Sequence, residues 1–302
     1  MIHIGVILTC YNRVKQTIEC LSAFKTIIEK YNSSVSENNA MDYHIYLTND
    51  GCTDGTEEEA RNLFSQSKLT IVKGNGSLFW AGGMRKAWNK AIDSGINYDY
   101  FLLLNDDTTP LPNLIDELMA CDKYAMEKYH KHGVYSGICC SKKNPHLMTY
   151  GGHKITNSFK FTIQKLKPNG KVQECDMTNA NILLVHRDVV NAIGIFYDGY
   201  VHGIADIDYS IIAKKKGFPV LLTPNFCGKC DDDHADKNEI KEKITNMSKA
   251  QRKEYFNSPL HSSKDYLKFI RRVAPQRYPL VWLFRFLNLN CPKLYYYLDS
   301  FR

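Results

Sequence analysis

The sequence predicts an α/β protein with three layers, in which helices cover both faces of a mostly parallel sheet. Short apolar runs alternate with amphipathic stretches through the first third of the chain, a pattern typical of parallel sheets with crossover helices. Two acidic motifs, Asn49–Gly55 and Asn105–Asp107, each follow an apolar run. Because ligands of open α/β sheets bind beyond the carboxyl ends of the strands, these motifs predict a site for a nucleotide and a divalent metal on its phosphates.

Length and composition are ordinary for a globular protein, since 44% of the 302 residues are hydrophobic and 24% are charged. The net charge of +7 suits phosphorylated ligands or an anionic membrane surface, and it falls short of a nucleic-acid-binding footprint. The ten cysteines are scattered, and we see neither a signal peptide nor a membrane span. We therefore expect a cytoplasmic protein without structural disulfides.

In the first third of the chain the hydrophobic pattern predicts alternating strands and helices. The predicted strands are Ile4–Thr9, Ile45–Thr48, Leu69–Val72 and Tyr100–Leu104. The predicted helices are Val14–Lys30, one from Asp54 to about Ser65, and one that Gly82 and Gly83 open and Gly95 closes. Asp54 and Glu57 have the spacing of a helix N-cap and its third-position acid, and the polar stretch Asn32–Asp42 predicts a loop.

The middle of the chain changes from regular alternation to a series of strands. The predicted strands are Val134–Cys140, Thr149–Ile155, Phe159–Leu166, Asn181–Val185 and Val220–Leu222. The predicted helices are Pro110–Tyr129 and Ala205–Lys216. Lys167–Gly170 predicts a hairpin turn after the third of these strands. From Asp231 the chain is charged and then helical.

Four motifs occur in a characteristic order: Thr9–Arg13, Asn49–Thr56, Asn105–Asp107 and Ala205–Tyr209. Over roughly residues 3–225 they resemble the inverting family 2 glycosyltransferases of GT-A (Rossmann-like) fold. Gly76–Met84 adds a similarity to the rhamnosyltransferase-like bacterial branch. The resemblance implies a catalytic domain over 1–230, with a nucleotide-binding half (1–107) and an acceptor half (108–230). A C-terminal helical extension, 231–302, follows.

The resemblance places the nucleotide beside Asp50, whose carboxylate would accept a hydrogen bond from a pyrimidine base. The residues expected to share this pocket with the nucleotide are Thr9, Tyr11, Asn12 and Arg13. The alternative is that Asp50 and Gly51 form only a turn.

Asn105-Asp106-Asp107 resembles the D-x-D element of the family, with Asn in the first place. Asp107 is then the ligand of a Mg²⁺ or Mn²⁺ ion, and Asn105 and Asp106 lie beside the donor. A solvated loop before Pro110 is the alternative. Relatives often supply a late histidine to the metal, which here would be His234.

Gly82, Gly83 and Arg85 are candidates for binding the donor phosphates, because glycines let the backbone approach and a helix start favours anions. Trp80 would pack on the sugar or the acceptor. The alternative interpretation is that the glycines are turn residues and that Trp80 belongs to the core.

The resemblance identifies Asp206 as the catalytic base, with Ala205 in place of the family's usual Glu. His202 would line the acceptor pocket. Acids in a first helical turn also complement the helix dipole, so Asp206 and Asp208 have a structural alternative.

The tail from Tyr278 to Arg302 mixes aromatic and basic residues. This mixture fits a helix lying in a membrane interface, and equally a closing helix packed on the core or on a second copy.

These observations predict an inverting glycosyltransferase that moves a sugar from a nucleotide-diphosphate sugar to a glycan or lipid-linked acceptor. The expected context is cell-surface polysaccharide synthesis, in the cytoplasm or at the inner face of the plasma membrane. A sugar nucleotidyltransferase is one alternative, although the first loop lacks the glycines that it would usually carry. A non-catalytic relic is the other, and the presence of Asp107 and Asp206 disfavours it.

Overall fold

The centre of the molecule is a sheet of ten strands, which we describe from a computed structural model that covers residues 1–232 and 236–300. The strands of the chain are β1 (Ile2–Cys10), β2 (Met41–Asn49), β3 (Leu69–Lys73), β4 (Tyr100–Leu104), β5 (Thr109–Pro110), β6 (Val134–Cys140), β7 (Met148–Tyr150), β8 (Gly152–Asn157), β9 (Thr162–Lys165), β10 (Gln173–Glu174), β11 (Met177–Thr178), β12 (Ile182–His186) and β13 (Val220–Lys229).

Helices separate and follow these strands. They are α1 (Val14–Ser34), α2 (Thr56–Leu63), α3 (Phe79–Ile92), α4 (Leu114–Tyr129), α5 (Arg187–Ile193), α6 (Ala205–Lys215), α7 (Lys237–Asn246), α8 (Lys249–Asn257), α9 (Ser263–Val273), α10 (Tyr278–Asn290) and α11 (Pro292–Asp299).

The sheet is mostly parallel, with the strand order β10-β13-β6-β12-β4-β1-β2-β3. Strand β12 is inserted between β4 and β6 and runs antiparallel to both. Strands β8, β9 and β11 form a separate small sheet. As a result, the carboxyl ends of β1, β2, β4, β6 and β13 lie at one edge of the main sheet, together with the amino end of β12.

Helices cover both faces of the sheet, which confirms the predicted three-layer α/β fold. Neighbouring residues of β4 point to opposite faces, so Leu102 packs in one buried cluster and Leu103 in the other. The first cluster includes Leu21 and Phe24 of α1, and the second includes Trp88 of α3. All five of these residues are fully buried, so each face of the sheet has its own hydrophobic core.

Several element boundaries differ from those predicted from the sequence. Helix α4 begins at Leu114 because Pro110 pairs, in the short strand β5, with Gly228 of β13. Strand β13 continues to Lys229 instead of ending at Leu222. The hairpin turn lies at 158–161 instead of 167–170, since β8 and β9 pair across it.

Asp54 does not cap α2 in the predicted way, because Gly55 occupies the N-cap position and the helix begins at Thr56. The Asp54 carboxylate accepts hydrogen bonds from the N–H groups of Thr56 (3.2 Å) and Val14 (2.8 Å). It therefore joins the starts of α1 and α2 at the same edge of the sheet.

The C-terminal helices pack against α6 and the loop before it. Arg272 of α9 donates through Nε to both carboxylate oxygens of Asp208, at 3.2 Å each. Asp265 Oδ2 accepts a hydrogen bond from the Val201 N–H at 3.0 Å. In the described ranges, no helix has the length and apolar character needed to cross a membrane.

The two glycines of α3 have different surroundings. A Cβ atom on Gly83 would lie 2.1 Å from Thr9 Oγ1 and 2.7 Å from Thr9 Cβ, so its absence lets α3 pack on β1. At Gly82 the nearest atom to such a Cβ would be Leu78 Cβ, at 3.4 Å. Gly83 is therefore a packing glycine, whereas Gly82 has room for a methyl group.

We expect Gly83→Ala to destabilise the fold by about 1–3 kcal/mol, because the added methyl group overpacks the contact between α3 and β1. Gly82→Ala is the matched control in the same helical turn. It should be neutral or slightly stabilising, since Ala favours helix over Gly by about 1 kcal/mol. Urea unfolding followed by circular dichroism measures both, and equal stability of the two variants would contradict this assignment.

Candidate active site

The carboxyl edge of the sheet gathers residues from several of the predicted motifs. The loops after β1, β2 and β4 start at this edge, and the loop that leads into β12 ends there. The strand ends are level, since Cys10 pairs with Asn49 and Leu104 pairs with Ile182. Segments far apart in the chain thereby form one surface.

Arg13 connects the loop after β1 to the two acids after β4. Its Nη2 lies 2.7 Å from Asp106 Oδ1, and its Nη1 lies 2.9 Å from Asp107 Oδ2. Thr17 Oγ1, one turn into α1, donates to Asp106 Oδ2 at 3.2 Å. The guanidinium thus bridges both carboxylates, as its fork of N–H donors allows.

The two acids differ in burial and hence in chemistry. The Asp106 side chain is only 2% exposed, and burial raises the pKa of its carboxyl to about 7 even though Arg13 opposes the rise. The Asp107 side chain is 22% exposed. Asp106 is therefore a buried partner of Arg13, and Asp107 is the acid that a ligand can reach.

Asn105, the first residue of this motif, has its side chain engaged by Trp80. The indole Nε1 donates to Asn105 Oδ1 at 2.8 Å, and the indole ring packs on Phe196 with ring centroids 5.4 Å apart. The predicted donor residue Asn105 and the predicted acceptor residue Trp80 are thus in direct contact.

Asp50 is buried at the end of β2, where its carboxylate accepts four backbone hydrogen bonds. The donors to Oδ1 are the N–H groups of Asn75 (3.1 Å) and Gly76 (2.9 Å). Those to Oδ2 are the N–H groups of Leu78 (2.9 Å) and Phe79 (3.3 Å). Asp50 therefore anchors the loop that leads into α3, and the base contact assigned to it stays a prediction.

The remaining residues of the first loop have distinct environments. Asn12 has a positive φ of 49°, and its Oδ1 accepts a hydrogen bond from the Thr53 N–H at 2.8 Å, which ties the loops after β1 and β2 together. Tyr11 is 54% exposed beside it, whereas Thr9 is buried against Gly83. Tyr11 is thus open to a ligand.

Arg85, a predicted phosphate contact, points across the molecule. Its Nη1 donates to the backbone oxygen of Tyr197 at 3.1 Å, and burial lowers the pKa of its guanidinium. In this structure it stabilises the loop before α6.

Asp206, the predicted base, lies in the first turn of α6 and is 8% exposed. Its Oδ2 accepts a hydrogen bond from the Ala180 N–H, and its Oδ1 from the Ile207 N–H, each at 2.9 Å. Burial raises the pKa of this carboxyl, and the two backbone hydrogen bonds oppose the rise. Asp208, in contrast, is committed to Arg272.

His202 lies just before this helix, with its ring edge-on to Phe79 at a centroid distance of 6.3 Å. Its Nδ1 atom is buried and has no hydrogen-bond partner among the described residues. Burial lowers the pKa of the imidazole, and the positive charges of His261 and Arg13 add to this effect. A neutral imidazole just ahead of α6, the helix that carries the predicted base, suits contact with a polar, uncharged group.

Two residues that sequence reasoning missed join the base to the acidic loop. Ala180 donates to Asp206, and the backbone oxygen of Asn181 accepts a hydrogen bond from the Asn105 N–H at 3.0 Å. Their only sequence signal is that Ala180 precedes and Asn181 opens the predicted strand Asn181–Val185, and nothing local shows that this strand lies beside β4.

Asp107, the predicted metal ligand, is partly exposed beside a small cavity. It lines this cavity of about 160 Å³ together with Arg13, Lys142, Cys230 and Asp231. Within residues 1–232 and 236–300, no group of three or more His, Cys, Asp or Glu side chains could hold a metal ion. The oxygens of the Asp107 carboxylate fit a Mg²⁺ or Mn²⁺ ion that would take most of its ligands from a diphosphate and water. His234 lies outside the described residues.

Residues 5–183 of the chain match the family model described as Glycosyl transferase family 2. The match covers more than half of the chain and includes the loops after β1, β2 and β4. No curated protein matches the chain.

The fold is also similar to solved structures of two proteins. The first is the mannosyltransferase PcManGT from Pyrobaculum calidifontis in complex with GDP-Man and Mn²⁺, with a TM-score of 0.52, 13% identity, and coverage of 98% of this chain and 74% of that chain. The second is S. aureus TarS 1-349, with a TM-score of 0.53, 12% identity, and coverage of 100% and 92%. Its complex with UDP-GlcNAc matches with a TM-score of 0.51 and 10% identity over 90% and 72%. These similarities support the expected GT-A fold.

Proposed function

The chain belongs to glycosyltransferase family 2, and we propose that it transfers a sugar with inversion from a nucleotide-diphosphate sugar to a hydroxyl of a glycan or lipid-linked acceptor. The observation that carries this proposal is the link between base and donor loop. The consecutive residues Ala180 and Asn181 hydrogen-bond Asp206 on one side and Asn105 on the other. A base and a diphosphate site fixed to the same short segment suit a single in-line displacement.

Asp206 acts as the general base in this mechanism. The backbone N–H groups of Ala180 and Ile207 orient its carboxylate, and each oxygen keeps a further lone pair for the acceptor hydroxyl. The raised pKa makes the carboxylate a better proton acceptor than an exposed Asp. As the hydroxyl oxygen attacks the anomeric carbon, its proton passes to Asp206 and the nucleoside diphosphate leaves.

Arg13 and Asp107 serve the leaving group. A divalent cation at Asp107 would neutralise charge that develops on the diphosphate. Arg13 holds Asp107 in place and can turn its guanidinium toward a phosphate, to which its fork of donors is equally suited. Buried Asp106 keeps the guanidinium at the site.

Asp50 contributes to the donor pocket through the loop 75–79. Its four backbone hydrogen bonds hold this loop against the end of β2, ahead of Trp80.

The proposed division of the catalytic domain assigns residues 1–107 to binding the nucleotide and residues 108–230 to binding the acceptor. Membership of the rhamnosyltransferase-like branch and a role in cell-surface polysaccharide synthesis stay predictions.

The tail carries a second surface of interest. Trp282 and Phe286 are 50% and 48% exposed, and their rings stack with centroids 5.6 Å apart. Leu283 beside them is 45% exposed. We propose that this face of α10 contacts an anionic membrane, where lipid-linked acceptors reside, because exposed aromatic residues next to basic ones favour the interface.

Asp206→Asn should lower the transfer rate by about 10²–10⁴-fold while donor binding and the fold stay intact, because the amide cannot take the acceptor proton. Steady-state transfer at saturating acceptor and calorimetric donor binding measure the two effects. Asp208→Asn is the control, since its carboxylate binds Arg272 and should affect stability more than turnover. Near-normal transfer by the Asp206 variant would refute this mechanism.

Transfer should require Mg²⁺ or Mn²⁺, and Asp107→Asn should weaken donor binding in the presence of Mn²⁺ by about tenfold or more, an effect of about 1.4 kcal/mol. Asp231→Asn, on the same small cavity, tests whether the loss is specific to Asp107. Full transfer in excess chelator would rule out the metal. Unchanged donor affinity of the Asp107 variant would rule out this ligand.

Replacing Trp282 and Phe286 together by Ser should reduce sedimentation of the protein with phosphatidylglycerol-containing vesicles, because it removes the apolar face of α10. Phe159→Ser is the matched control, since Phe159 is 77% exposed but lies in the β8–β9 turn. If wild-type protein does not sediment with these vesicles, or if both variants behave alike, α10 is not a membrane contact.

A further inference from the structure

A cavity of about 470 Å³ lies between the C-terminal helices and the loop that precedes α6. Gly203 and Ile204 form one wall, directly ahead of the helix that carries Asp206. Residues of α7, α8, α9, α10 and α11 form the other walls. The volume is in the range typical of small-molecule sites, and the cavity lies near the start of α6.

The walls of the cavity are rich in tyrosine. Tyr255, Tyr266, Tyr295 and Tyr296 all line it, and the Tyr255 ring stacks on His261 at a centroid distance of 4.0 Å. Tyrosine combines an apolar ring face with a hydroxyl group. Such a surface suits a sugar, whose ring has C–H faces and whose hydroxyls need hydrogen-bond partners.

Arg285 adds a positive charge to this wall. Its guanidinium lies 4.4 Å from the Tyr266 ring centroid, and its Nη1 donates to Ser263 Oγ at 3.4 Å. Across residues 1–232 and 236–300, no carboxylate forms an ion pair with it, and burial lowers its pKa. A partly buried guanidinium with several N–H donors left to satisfy favours an anionic ligand.

The other polar groups of the cavity are compatible with an anionic ligand at Arg285. Asp265 is engaged by the Val201 N–H at 3.0 Å and by Lys268 Nζ at 3.3 Å, while Asp299 is a second acid on the wall. Lys237 is an additional cation on the wall. Asn288 is 7% exposed, and its Oδ1 has no hydrogen-bond partner in the described structure. Its amide therefore has hydrogen-bonding capacity left for a bound molecule.

Building on the proposed function, we propose that this cavity binds the acceptor, and that the acceptor is a saccharide bearing an anionic group that Arg285 recognises. The tyrosine faces hold the sugar ring. The wall formed by Gly203 and Ile204 directly precedes α6 in the chain, so a saccharide in the cavity would lie near the start of the helix that carries Asp206.

The test is binding of three small probes to the full-length protein by saturation-transfer NMR and calorimetry. The probes are D-glucuronate, α-D-glucose 1-phosphate and methyl α-D-glucoside, which differ chiefly in the charged group. UDP, GDP and Mn²⁺ are present in excess, so that the donor site is occupied. At least one charged probe should bind about tenfold more tightly than the neutral one, as expected for a charge-assisted hydrogen bond. The preferred probe distinguishes a carboxylate from a phosphate.

Arg285→Gln should abolish the preference for the charged probe, and Arg285→Lys should retain part of it. Arg271→Gln is the matched control, because Arg271 packs on the Tyr278 ring at 4.5 Å but does not line the cavity. Thermal unfolding checks that each variant is folded. Equal binding of all three probes, no binding of any, or an unchanged preference in Arg285→Gln would overturn the proposal.

Failure of this inference can be separated from failure of the proposed function. If nucleoside diphosphate binds with Mn²⁺ while no charged preference is found, only the acceptor assignment is wrong. If the charged preference depends on Arg285 but no nucleotide sugar is bound or consumed, the cavity is a saccharide site and the transferase mechanism is wrong.

Discussion

The ion pair between Arg13 and the acids after β4 is the interaction on which the proposed donor site depends. Asp106 is almost completely buried, and a buried carboxylate is stable as an anion only beside a compensating charge. Arg13 provides that charge and at the same time reaches the more exposed Asp107. One guanidinium thus ties the loop after the first strand to the loop after the fourth, which is next to it in the sheet.

Backbone N–H groups position the other acids. Asp50 accepts four such hydrogen bonds and Asp206 accepts two, so neither carboxylate depends on a flexible side chain for its orientation. Asp50 holds the loop that carries Trp80, and Trp80 in turn binds Asn105. Asn181 then links Asn105 to the segment that holds Asp206. The proposed donor loops and the proposed base, Asp206, are connected by a continuous chain of hydrogen bonds.

Local patterns predicted much of the fold, whereas long-range pairing was out of their reach. The bounds of β4 and β6 agree with prediction. In β4 an uninterrupted apolar run between polar segments identifies a buried strand. The insertion of antiparallel β12 between them is set by packing across the whole sheet, and no local pattern shows it.

The same limit applies to the site. The order of the motifs predicted the family and grouped Arg13, Asp106 and Asp107 in one pocket. It did not show that Arg85 reaches a backbone oxygen in the loop before α6, or that Arg272 holds Asp208. Both contacts join residues more than sixty positions apart, and a single sequence carries no signal for them.

The central claim is that the loops after β1, β2 and β4 bind a nucleoside diphosphate. Hydrogen exchange of the full-length protein, measured with and without UDP or GDP in the presence of Mn²⁺, tests it most directly. At least one of these nucleotides should slow exchange in the loops after β1, β2 and β4. Protection confined to other parts of the chain, or none with either nucleotide, would contradict it.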